Sequence, residues 1–393
     1  MSEDTYKTIV APSEGIYTEK RSKFIAIALP VRTVEEVKAH LETYQKKYYD
    51  ARHVCYAYML GHERKDFRAN DNGEPSGTAG KPILGQINSN ELTDILIIVV
   101  RYFGGIKLGT SGLIVAYKAA AAEATAAAVS QWLEAHGVAC SALPADCPTE
   151  KLVGRARTSD AILILGGDGT FVGVGRKLAG LDIPLLGINF GQVGFLTELS
   201  AVGWEPALER LLAGKMITRT CLLLAWELLR GGTPIASGHA ANDVVVGRGA
   251  IARVLPVHVF VDGEDMGVVR SDGVIVSTPL GSSAYALSAH GPLVHPKVQA
   301  LTLTPISPFF KSFPPIVLPA DSRIRLETDA AAPDAFLTVD GQEGIPLCGG
   351  DVIRVQSLDA GLRVLSCSSG TYFQRLRERG FIQTDGTSAP EHV

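Results

Sequence analysis

One carboxylate stands in a glycine turn directly after an unbroken apolar run of the chain. The run is residues 161–165, and the turn is Gly166-Gly167-Asp168-Gly169-Thr170. An apolar run of this length predicts a strand that is buried on both faces of a parallel sheet. Glycines at its carboxyl end would let a phosphate-bearing ligand approach the backbone, with Asp168 beside it. A plain strand-to-helix turn could have the same sequence, so this motif alone leaves both interpretations open.

Three later stretches place polar side chains at the ends of predicted strands. Asn242-Asp243 opens one strand, and Asp340-Gly341-Gln342 follows another. The third joins Arg270-Ser271-Asp272-Gly273 to the turn Gly281-Ser282-Ser283-Ala284-Tyr285. That turn supplies hydroxyls, amide donors and a ring that could stack on a base. Taken singly, each stretch is explained better by turn chemistry than by a ligand site.

Two kinds of element must position these residues. After Thr170, a helix over 171–178 and a second buried strand over 184–189 complete a βαβ unit, whose two glycine turns share one edge of a sheet. From Thr220 the apolar period changes to 2, and short strands alternate with Gly, Pro and Asp turns. The second block of the chain is therefore predicted to be a small α/β domain followed by a larger β-sandwich-like domain.

In this order the motifs resemble those of the NAD kinase family, over residues from about 132 to 382. The resemblance rests on GGDGT, GxNxGxxGFL, NDVVV, RSDGVIVSTP, GSSAYALSAHGP, LTPISP and VDGQ. It implies transfer of a phosphoryl group from ATP or another donor to the 2′-hydroxyl of the adenosine ribose of NAD, which makes NADP. NAD is then a substrate. Mg²⁺ or another divalent cation would arrive with the donor phosphates and be held mainly by them, without a protein metal site.

The resemblance also implies roles for particular residues. Asp168, the only acid in the glycine turn, is the candidate catalytic base for the 2′-hydroxyl, and Gly167 and Gly169 would admit the phosphates. Asn242 and Asp243 are implied to contact the NAD ribose and adenine. The other nucleotide-binding residues implied are Arg253, Arg270, Asp272, Ser283, Ala284, Tyr285, Ser288 and Gln342.

The first block, residues 1–128, carries a second set of motifs. They are DARH at 50–53, DNGEPSGTAG at 71–80, RYFGG at 101–105 and KLG at 107–109. They resemble the IMPACT family, also called the YigZ family, whose domain has an α/β fold similar to a domain of ribosomal protein S5. The resemblance implies a role near translation, through a translation-related protein or RNA, and no defined reaction.

The polar residues of this block leave three interpretations open. A Ser/His/carboxylate hydrolase, an anion site beside the glycine turns, and a binding surface without chemistry would all draw on the same turn-rich loop. The candidates are His53, Glu74, Ser76, Arg101 and Lys107.

Apolar spacing and turn residues predict the elements of the first block. They indicate two short strands within 8–27 around Glu14-Gly15, a helix over 34–48, and strands over 54–60 and 95–100. A loop is predicted over 68–82, because this stretch is rich in Gly, Pro, Asn and Asp.

We place the domain boundaries at residues 1–128, 129–219 and 220–393. One helix, over 113–136 and ended by Gly137, crosses the first boundary without a flexible linker, and a short strand is expected over 138–143. NAD kinases begin with a strand before this helix, and none separates the two blocks here. Either the kinase sheet lacks its first strand, or residues 95–100 serve in its place. If the fusion impaired the kinase half, the protein would instead be a non-catalytic NAD/NADP-sensing or translation-linked regulator.

Composition excludes several classes of protein. A formal net charge of −4 argues against a nucleic-acid protein held by a basic face. Six scattered cysteines without a CxxC pair fit reduced thiols and no zinc site. The N-terminus has no apolar signal core, and no apolar run reaches the roughly 18 residues of a membrane span. We expect a cytoplasmic protein and, because NAD kinases commonly are, a homo-oligomer.

Overall fold

A computed structural model describes most of the chain. The described residues are 8–9, 12–89, 92–144, 147–189, 194–200, 204–249, 254–309, 313–329, 335–366 and 372–382. The chain divides into two compact units. Unit 1 comprises Met1–Pro144, Ile164–Asp168 and Gly187–Met216, and unit 2 comprises Ala145–Leu163, Gly169–Leu186 and Ile217–Val393. No helix within the described ranges is long and apolar enough to cross a membrane.

Unit 1 contains an antiparallel sheet of five strands. They are β1 (Ser13–Glu19), β2 (Ser22–Pro30), β3 (His53–Leu60), β4 (Asp66–Asn70) and β5 (Ile95–Tyr102). Their order is β1-β2-β5-β3-β4, which makes β5 the central strand. Alternate residues of each strand point to opposite sides, so the sheet has two apolar faces, and helices cover both. Helix α1 (Val34–Lys47) packs on one face, and helices α2 (Gly80–Ser89) and α3 (Gly109–Ala135) pack on the other.

Two predictions for this sheet are wrong in detail. The first hairpin turns at Lys20 and Arg21, which both have positive φ, and not at Glu14-Gly15, which lies within β1. The predicted loop over 68–82 contains the end of β4 and the start of α2. The Asp71 carboxylate accepts hydrogen bonds from the amides of Gly77, Ala79 and Gly80, and these bonds fold the turn-rich stretch into the start of α2.

Helix α3 is continuous, as predicted, and ends before Gly137, which has a φ of +74°. Its first half packs into the core under the five-stranded sheet through buried residues such as Leu113 and Tyr117. Further along, Leu133 is buried, and the Trp132 ring meets the Trp204 ring edge-on at 5.7 Å. The strand expected over 138–143 does not form.

The predicted βαβ unit is present around the glycine turn. It consists of β6 (Ile162–Leu165), α5 (Asp168–Lys177) and β7 (Leu185–Asn189), with a short strand β8 (Leu199–Ser200) parallel to β7. Helices α4 (Thr149–Ala156) and α6 (Glu205–Leu212) flank it in the chain. Strand β7 is fully buried, whereas only Ile164 of β6 is, so the prediction that β6 is buried on both faces is wrong.

The pairing of β6 explains its partial exposure. Among the described strands, β6 pairs with β7 alone. Strand β5, which contains residues 95–100, has both edges occupied by β2 and β3. It therefore does not replace a first strand beside β6, and that alternative is wrong. Within the described residues, β6 is an edge strand, and an edge strand is covered less completely than a central one.

The β part of unit 2 is a sandwich of two sheets, as predicted. Its strands are β9 (Ile217–Arg230), β10 (Thr233–Ala240), β11 (Asp243–Arg248), β12 (Leu255–Val261), β13 (Glu264–Ser271), β14 (Gly273–Ser277), β15 (Ala300–Ile306), β16 (Ile316–Pro319), β17 (Ile324–Thr328), β18 (Ala335–Val339), β19 (Glu343–Leu347) and β20 (Val352–Ser366). One sheet has the order β10-β9-β20-β17-β12-β13, with β7 joined through β20. The other has the order β16-β15-β14-β11-β18-β19. Alternate residues from both sheets form one shared core.

The sheet β16-β15-β14-β11-β18-β19, called the six-stranded sheet from here on, also has an outer face that points away from this core. Val245 of β11 and Ile275 of β14 pack there against Ala286 of the short helix α7 (Tyr285–Ser288). A last helix, α8 (Tyr372–Glu378), follows β20 in the chain. The short strands expected from Thr220 onward begin at residue 244 and do not include β9, β10 or β19. The stretch from Leu222 to Arg230 consists largely of strong helix formers, and pairing with β10 and β20 overrides that preference.

Candidate active site

A cavity of about 520 Å³ lies in unit 2 on this outer face of the six-stranded sheet. Alternate residues of β11 point into it, because residues 243, 245 and 247 share one side of the strand. The turns after β13 and β18, the start of α7, and residues at the ends of β11, β15 and β18 supply the rest. The lining residues are Asn242, Asp243, Val245, Gly247, Arg248, Asp272, Ala284, Tyr285, Ile306, Thr338, Asp340 and Gly341.

Five of the predicted nucleotide-binding residues line this cavity. They are Asn242, Asp243, Asp272, Ala284 and Tyr285. The Tyr285 side chain is 47% exposed, so its ring is available to a ligand. Neither Arg248 nor Asp340 is among the predicted binding residues, although Asp340 belongs to the VDGQ motif.

The Asp340 side chain holds the start of β11 by accepting hydrogen bonds from backbone amides. Its Oδ1 accepts hydrogen bonds from the amides of Asn242 at 2.7 Å and Asp243 at 3.1 Å, and its Oδ2 accepts one from Ala241 at 3.0 Å. The turn that holds it has a φ of +50° at Asp340. Burial raises the pKa of the Asp340 carboxyl, while the three amide donors and the charge of Arg176 oppose that shift.

Asp243 is the most buried acid of the cavity, with 3% of its surface exposed. Burial, and then the negative charge of Asp340, raise the pKa of its carboxyl to about 7. An acid with this pKa changes its charge near neutral pH. Such groups are typical of binding and catalytic sites.

Arg248 and Asp272 form an ion pair on the cavity wall. Arg248 Nε donates to Asp272 Oδ1 at 2.6 Å, and the Arg248 amide donates to the Asp272 carbonyl at 2.9 Å. The register of β11 with β14 brings the two residues together, since Gly247 pairs with Gly273. Arg248 could have been predicted from the sequence, because it is a cation two residues after the NDVVV motif.

The serine turn is built by its own hydroxyls. Buried Ser282 donates to the Pro279 carbonyl at 2.6 Å and accepts from the Val294 amide at 2.9 Å, and Ser283 donates to the Leu280 carbonyl at 3.0 Å. A Cβ on Gly281 would lie 2.1 Å from the Asn242 carbonyl oxygen. The turn can therefore pack on Asn242 only with glycine at this position.

The remaining predicted nucleotide-binding residues lie off the cavity wall. Ser288 is exposed on α7, and Arg270 is exposed on β13. Gln342 is exposed, and its Nε2 donates to the Gly169 carbonyl at 2.7 Å. Gly167 lies beside the Asn189 side chain. Arg253, like Gly191 in the second glycine turn, lies outside the described residues.

In unit 1, the Asp168 carboxylate is held by four donors. Its Oδ1 accepts from the Leu196 amide at 3.2 Å, the Thr197 amide at 3.0 Å and the Thr197 hydroxyl at 2.8 Å. Its Oδ2 accepts one hydrogen bond, from the Phe195 amide at 2.6 Å. The three donors on Oδ1 and the single donor on Oδ2 leave Oδ2 the less crowded of the two carboxylate oxygens.

The surroundings of Asp168 leave it little freedom. The buried Thr197 hydroxyl accepts from Asn189 Nδ2 at 2.9 Å, so its own proton must point to Asp168. A Cβ on Gly194 would lie 1.7 Å from Asp168 Oδ1. Glycine is required there because the carboxylate occupies that space. Sequence analysis found Asp168 and the glycines but not the partners Thr197 and Asn189.

The polar candidates of the first block form a buried cluster in which Ser76 and Lys107 have no part. Glu74 Oε1 accepts from Arg101 Nη1 and, at 3.0 Å, from the Tyr117 hydroxyl, while Ser76 and Lys107 are exposed. His53 Nδ1 donates to the Asn72 carbonyl at 2.7 Å, and its Nε2 lies 3.9 Å from Glu74 Oε1. A Ser76–His53 pair does not form, so the described residues do not support the hydrolase interpretation.

A buried thiol completes this cluster but is not a nucleophile. Cys55 Sγ contacts the Tyr117 hydroxyl at 3.3 Å and donates to the Asp71 carbonyl at 2.9 Å. Burial raises the pKa of the Cys55 thiol to about 12, so the reactive thiolate is scarce near neutral pH.

Three family models match consecutive parts of the chain. Residues 20–125 match the Impact N-terminal domain, residues 108–216 match the ATP-NAD kinase N-terminal domain, and residues 241–365 match the ATP-NAD kinase C-terminal domain. The first two matches overlap over residues 108–125, nearly all of which belong to α3.

Curated relatives and solved structures resemble the second part of the chain. The NAD kinase of Lawsonia intracellularis (strain PHE/MN1-00) is 45% identical over 263 residues, which are 67% of this chain and 92% of the relative. The NAD kinase of Nitratidesulfovibrio vulgaris (strain DP4) is 44% identical over 265 residues, 67% of this chain and 88% of the relative.

Two solved structures extend the likeness to the fold. The yeast NADH kinase complexed with NADH has a TM-score of 0.55 at 29% identity, covering 63% of this chain and 71% of that one. An NAD kinase from Archaeoglobus fulgidus in complex with ATP has a TM-score of 0.52 at 26% identity, covering 64% of this chain and 91% of that one.

Proposed function

The chain belongs to the NAD kinase family, and we propose that Asp168 is the base of its reaction and that the cavity on the six-stranded sheet receives NAD. The reaction transfers a phosphoryl group from ATP or another donor to the 2′-hydroxyl of the NAD adenosine ribose, which makes NADP. An Impact N-terminal domain precedes the kinase domains.

The lighter hydrogen bonding of Asp168 Oδ2 supports the assignment of the base. Three donors hold Oδ1 and one holds Oδ2, so an incoming hydroxyl finds more room at Oδ2. The 2′-oxygen forms a bond to the γ-phosphorus while the bond from that phosphorus to the leaving ADP oxygen breaks. The hydroxyl proton passes to Oδ2. Because the transition state of phosphoryl transfer is loose, the position of the base matters more than its basicity.

The chemistry of the cavity wall supports NAD as its ligand. Tyr285 offers a ring for stacking, Asn242 an amide, and Asp243 and Asp272 carboxyls for ribose or base atoms. The family resemblance, rather than the cavity, supports roles for Arg253, Arg270, Ser283, Ser288 and Gln342. Gln342 would act at one remove, since its hydrogen bond goes to the backbone of Gly169, which follows the base in the chain.

We assign the divalent cation, most simply Mg²⁺, to the phosphates of the donor. Within the described ranges, no group of three or more His, Cys, Asp and Glu side chains could hold a metal ion. The cation would neutralise charge on the transferred phosphoryl group when bound. NADP formation should therefore require added Mg²⁺ and stop with excess chelator.

Incubation with NAD, ATP and Mg²⁺ tests the function, with NADP as the measured product. The full chain should form NADP, and Asp168→Asn should lower kcat at least a hundredfold because it removes the proton acceptor. Asp359→Asn, at an exposed carboxylate, is the matched control. Binding of NAD without NADP formation by the unaltered chain would overturn the catalytic assignment, and full activity in Asp168→Asn would overturn the base.

Four further proposals rest on the sequence and its resemblances. We propose a homo-oligomer, which sedimentation velocity tests, and a cytoplasmic location, which fractionation tests. We propose domains over 1–128, 129–219 and 220–393, which limited proteolysis tests at the two boundaries.

For the Impact domain we propose a translation-related protein or RNA partner, to be sought by co-sedimentation with ribosomes.

A further inference from the structure

Asp243 and Asp340 bring two carboxyl groups to one buried place. Asp340 Oδ1 accepts the Asp243 amide, and the Asp340 amide donates to the Asp243 carbonyl at 3.0 Å. The two residues thus bond each other through both backbone groups, and both side chains line the NAD cavity. Two carboxyl groups that share a buried site ionise less readily together than either would alone, so the protonated form of one of them is favoured.

Hydrogen bonding decides which carboxyl keeps the proton. Asp340 accepts three backbone amides, and donors of this kind stabilise the charged form. The Asp243 carboxyl has no hydrogen-bond donor among the described residues, although the residue is 3% exposed. The anion therefore belongs to Asp340 and the proton to Asp243.

The other charged groups of the cavity do not reverse this assignment. Arg248, on the same strand, is bonded to Asp272 on the turn before β14. Arg176 on α5 is bonded to Glu343, and its charge acts on Asp340, where it favours the anion further. Tyr285, from α7, is the remaining titratable group on the wall. None of these groups is hydrogen-bonded to Asp243 in the described part of the chain.

We propose that Asp243 meets NAD as a neutral carboxylic acid and donates a hydrogen bond to an acceptor atom of the dinucleotide, with Asp340 as the residue that keeps it protonated. The proposal rests on the assignment of NAD to this cavity. The acceptor is an uncharged oxygen or nitrogen, such as a ribose oxygen or an adenine ring nitrogen. An ionised Asp243 could only accept, so ligand recognition depends on its proton.

A consequence is that NAD binding weakens as the pH rises past neutrality. The pKa of the free Asp243 carboxyl is raised to about 7, mainly by burial. If only the protonated form binds, the apparent dissociation constant grows as that form is depleted. Between pH 6 and pH 8.5 we expect NAD affinity to fall about thirtyfold, with net uptake of protons on binding at the alkaline end.

Isothermal titration calorimetry of the full chain with NAD tests this between pH 6 and pH 8.5. Titrations in buffers of different ionisation enthalpy give the protons taken up. Asp243→Asn keeps a donor and cannot ionise, so its NAD affinity should stay within about threefold of the pH 6 value at every pH. Asp243→Ala should bind weakly throughout. Asp265→Asn, at an exposed carboxylate outside the cavity, should follow the unaltered chain.

The outcomes distinguish failure of the neutral-acid proposal from failure of the assignment of NAD to the cavity. Affinity of the unaltered chain that is flat or increases with pH, or absence of proton uptake, overturns the neutral-acid proposal without using any variant. Loss of NAD binding in a folded Asp243→Asn protein also overturns it, because the carboxylate would then be needed as an acceptor. Failure of the unaltered chain to bind NAD at any pH would instead overturn the assignment of NAD to the cavity.

Discussion

Two buried acidic clusters in this protein differ in what satisfies them. In the Impact domain, Glu74 accepts hydrogen bonds from Arg101 and Tyr117, and all three side chains are buried. In the cavity of unit 2, Asp243 and Asp340 lie together, and no cation in the described ranges is hydrogen-bonded to either. A buried carboxylate with a cation and a hydroxyl is satisfied by the protein itself, whereas one without them retains capacity for a ligand. The contacts of the first cluster therefore fit a structural role, whereas the second fits the binding role proposed for it.

Removing the cation of the Impact cluster should give the largest effect. Arg101→Met leaves Glu74 buried without its counter-charge, which costs about 3–5 kcal/mol. Hydrogen exchange measured by mass spectrometry on peptides of β5 should then accelerate strongly. Arg52→Met is the control, because Arg52 is exposed and stacks loosely on Phe103. Unchanged exchange in Arg101→Met would show that the ion pair is dispensable and would break the comparison.

Removing the anion of the cavity pair should have the next largest effect. Asp340→Ala deprives three amides at the entrance to β11 of a charged acceptor, at a cost of about 2–3 kcal/mol. Exchange of the amides of residues 241–243 should rise, and Asp243 should titrate closer to the ordinary range of an aspartate. Asp321→Ala, at an exposed turn, should leave both unchanged.

The pH dependence of stability should distinguish the two clusters directly. The folded protein holds a proton on Asp243 that the unfolded chain loses near 3.8, so stability falls as the pH rises from about 4 to about 7. Asp243→Asn removes this loss and should stabilise unit 2 at pH 8 by a few kcal/mol, with little change at pH 4. Thermal unfolding at both pH values measures the difference. Destabilisation of Asp243→Asn at pH 8 would contradict the assignment.

The smallest expected effect concerns the hydroxyl of the Impact cluster. Tyr117→Phe removes one donor to Glu74 and one partner of Cys55, at a cost of about 1 kcal/mol. Labelling of the buried Cys55 thiol requires local opening, and a cost of this size should make opening, and hence labelling, about fivefold faster. Tyr49→Phe, at a side chain that is 87% exposed, serves as the control. Equal labelling rates would show that Arg101 alone satisfies Glu74.

Local patterns in the chain predicted several elements well. The βαβ unit around Asp168, the long helix α3 and most strands of the sandwich follow from apolar period and turn residues. The predictions failed where pairing with a neighbouring strand, rather than the local sequence, determines the structure of a segment. Strand β9 consists largely of helix formers and is a strand because β10 and β20 pair with it. Strand β6 is apolar throughout yet half-exposed because the described part of its sheet supplies only one neighbour.

The candidate site shows the same division. Asp168 and the cavity residues Asn242, Asp243 and Tyr285 stand in motifs that a reader of the sequence can select. Arg248 and Thr197 do not, because their roles come from cross-strand register and from a loop folded over a carboxylate. The hydroxyls of the serine turn bond to backbone carbonyls of the turn itself.

The sequence alone determined the family of this protein, the order of its domains and the acid at its glycine turn, since each depends on residue type and spacing. Only the tertiary structure decided how deeply the acids of the cavity are buried and which backbone amides they accept. The ionisation of a carboxyl depends on the burial, donors and charges around it, and these come from residues far apart in the chain. Asp243 and Asp340 are the example: nearly a hundred positions separate them, and burial of Asp243 at the start of β11, followed by the charge of Asp340, raises the pKa of Asp243 to about 7.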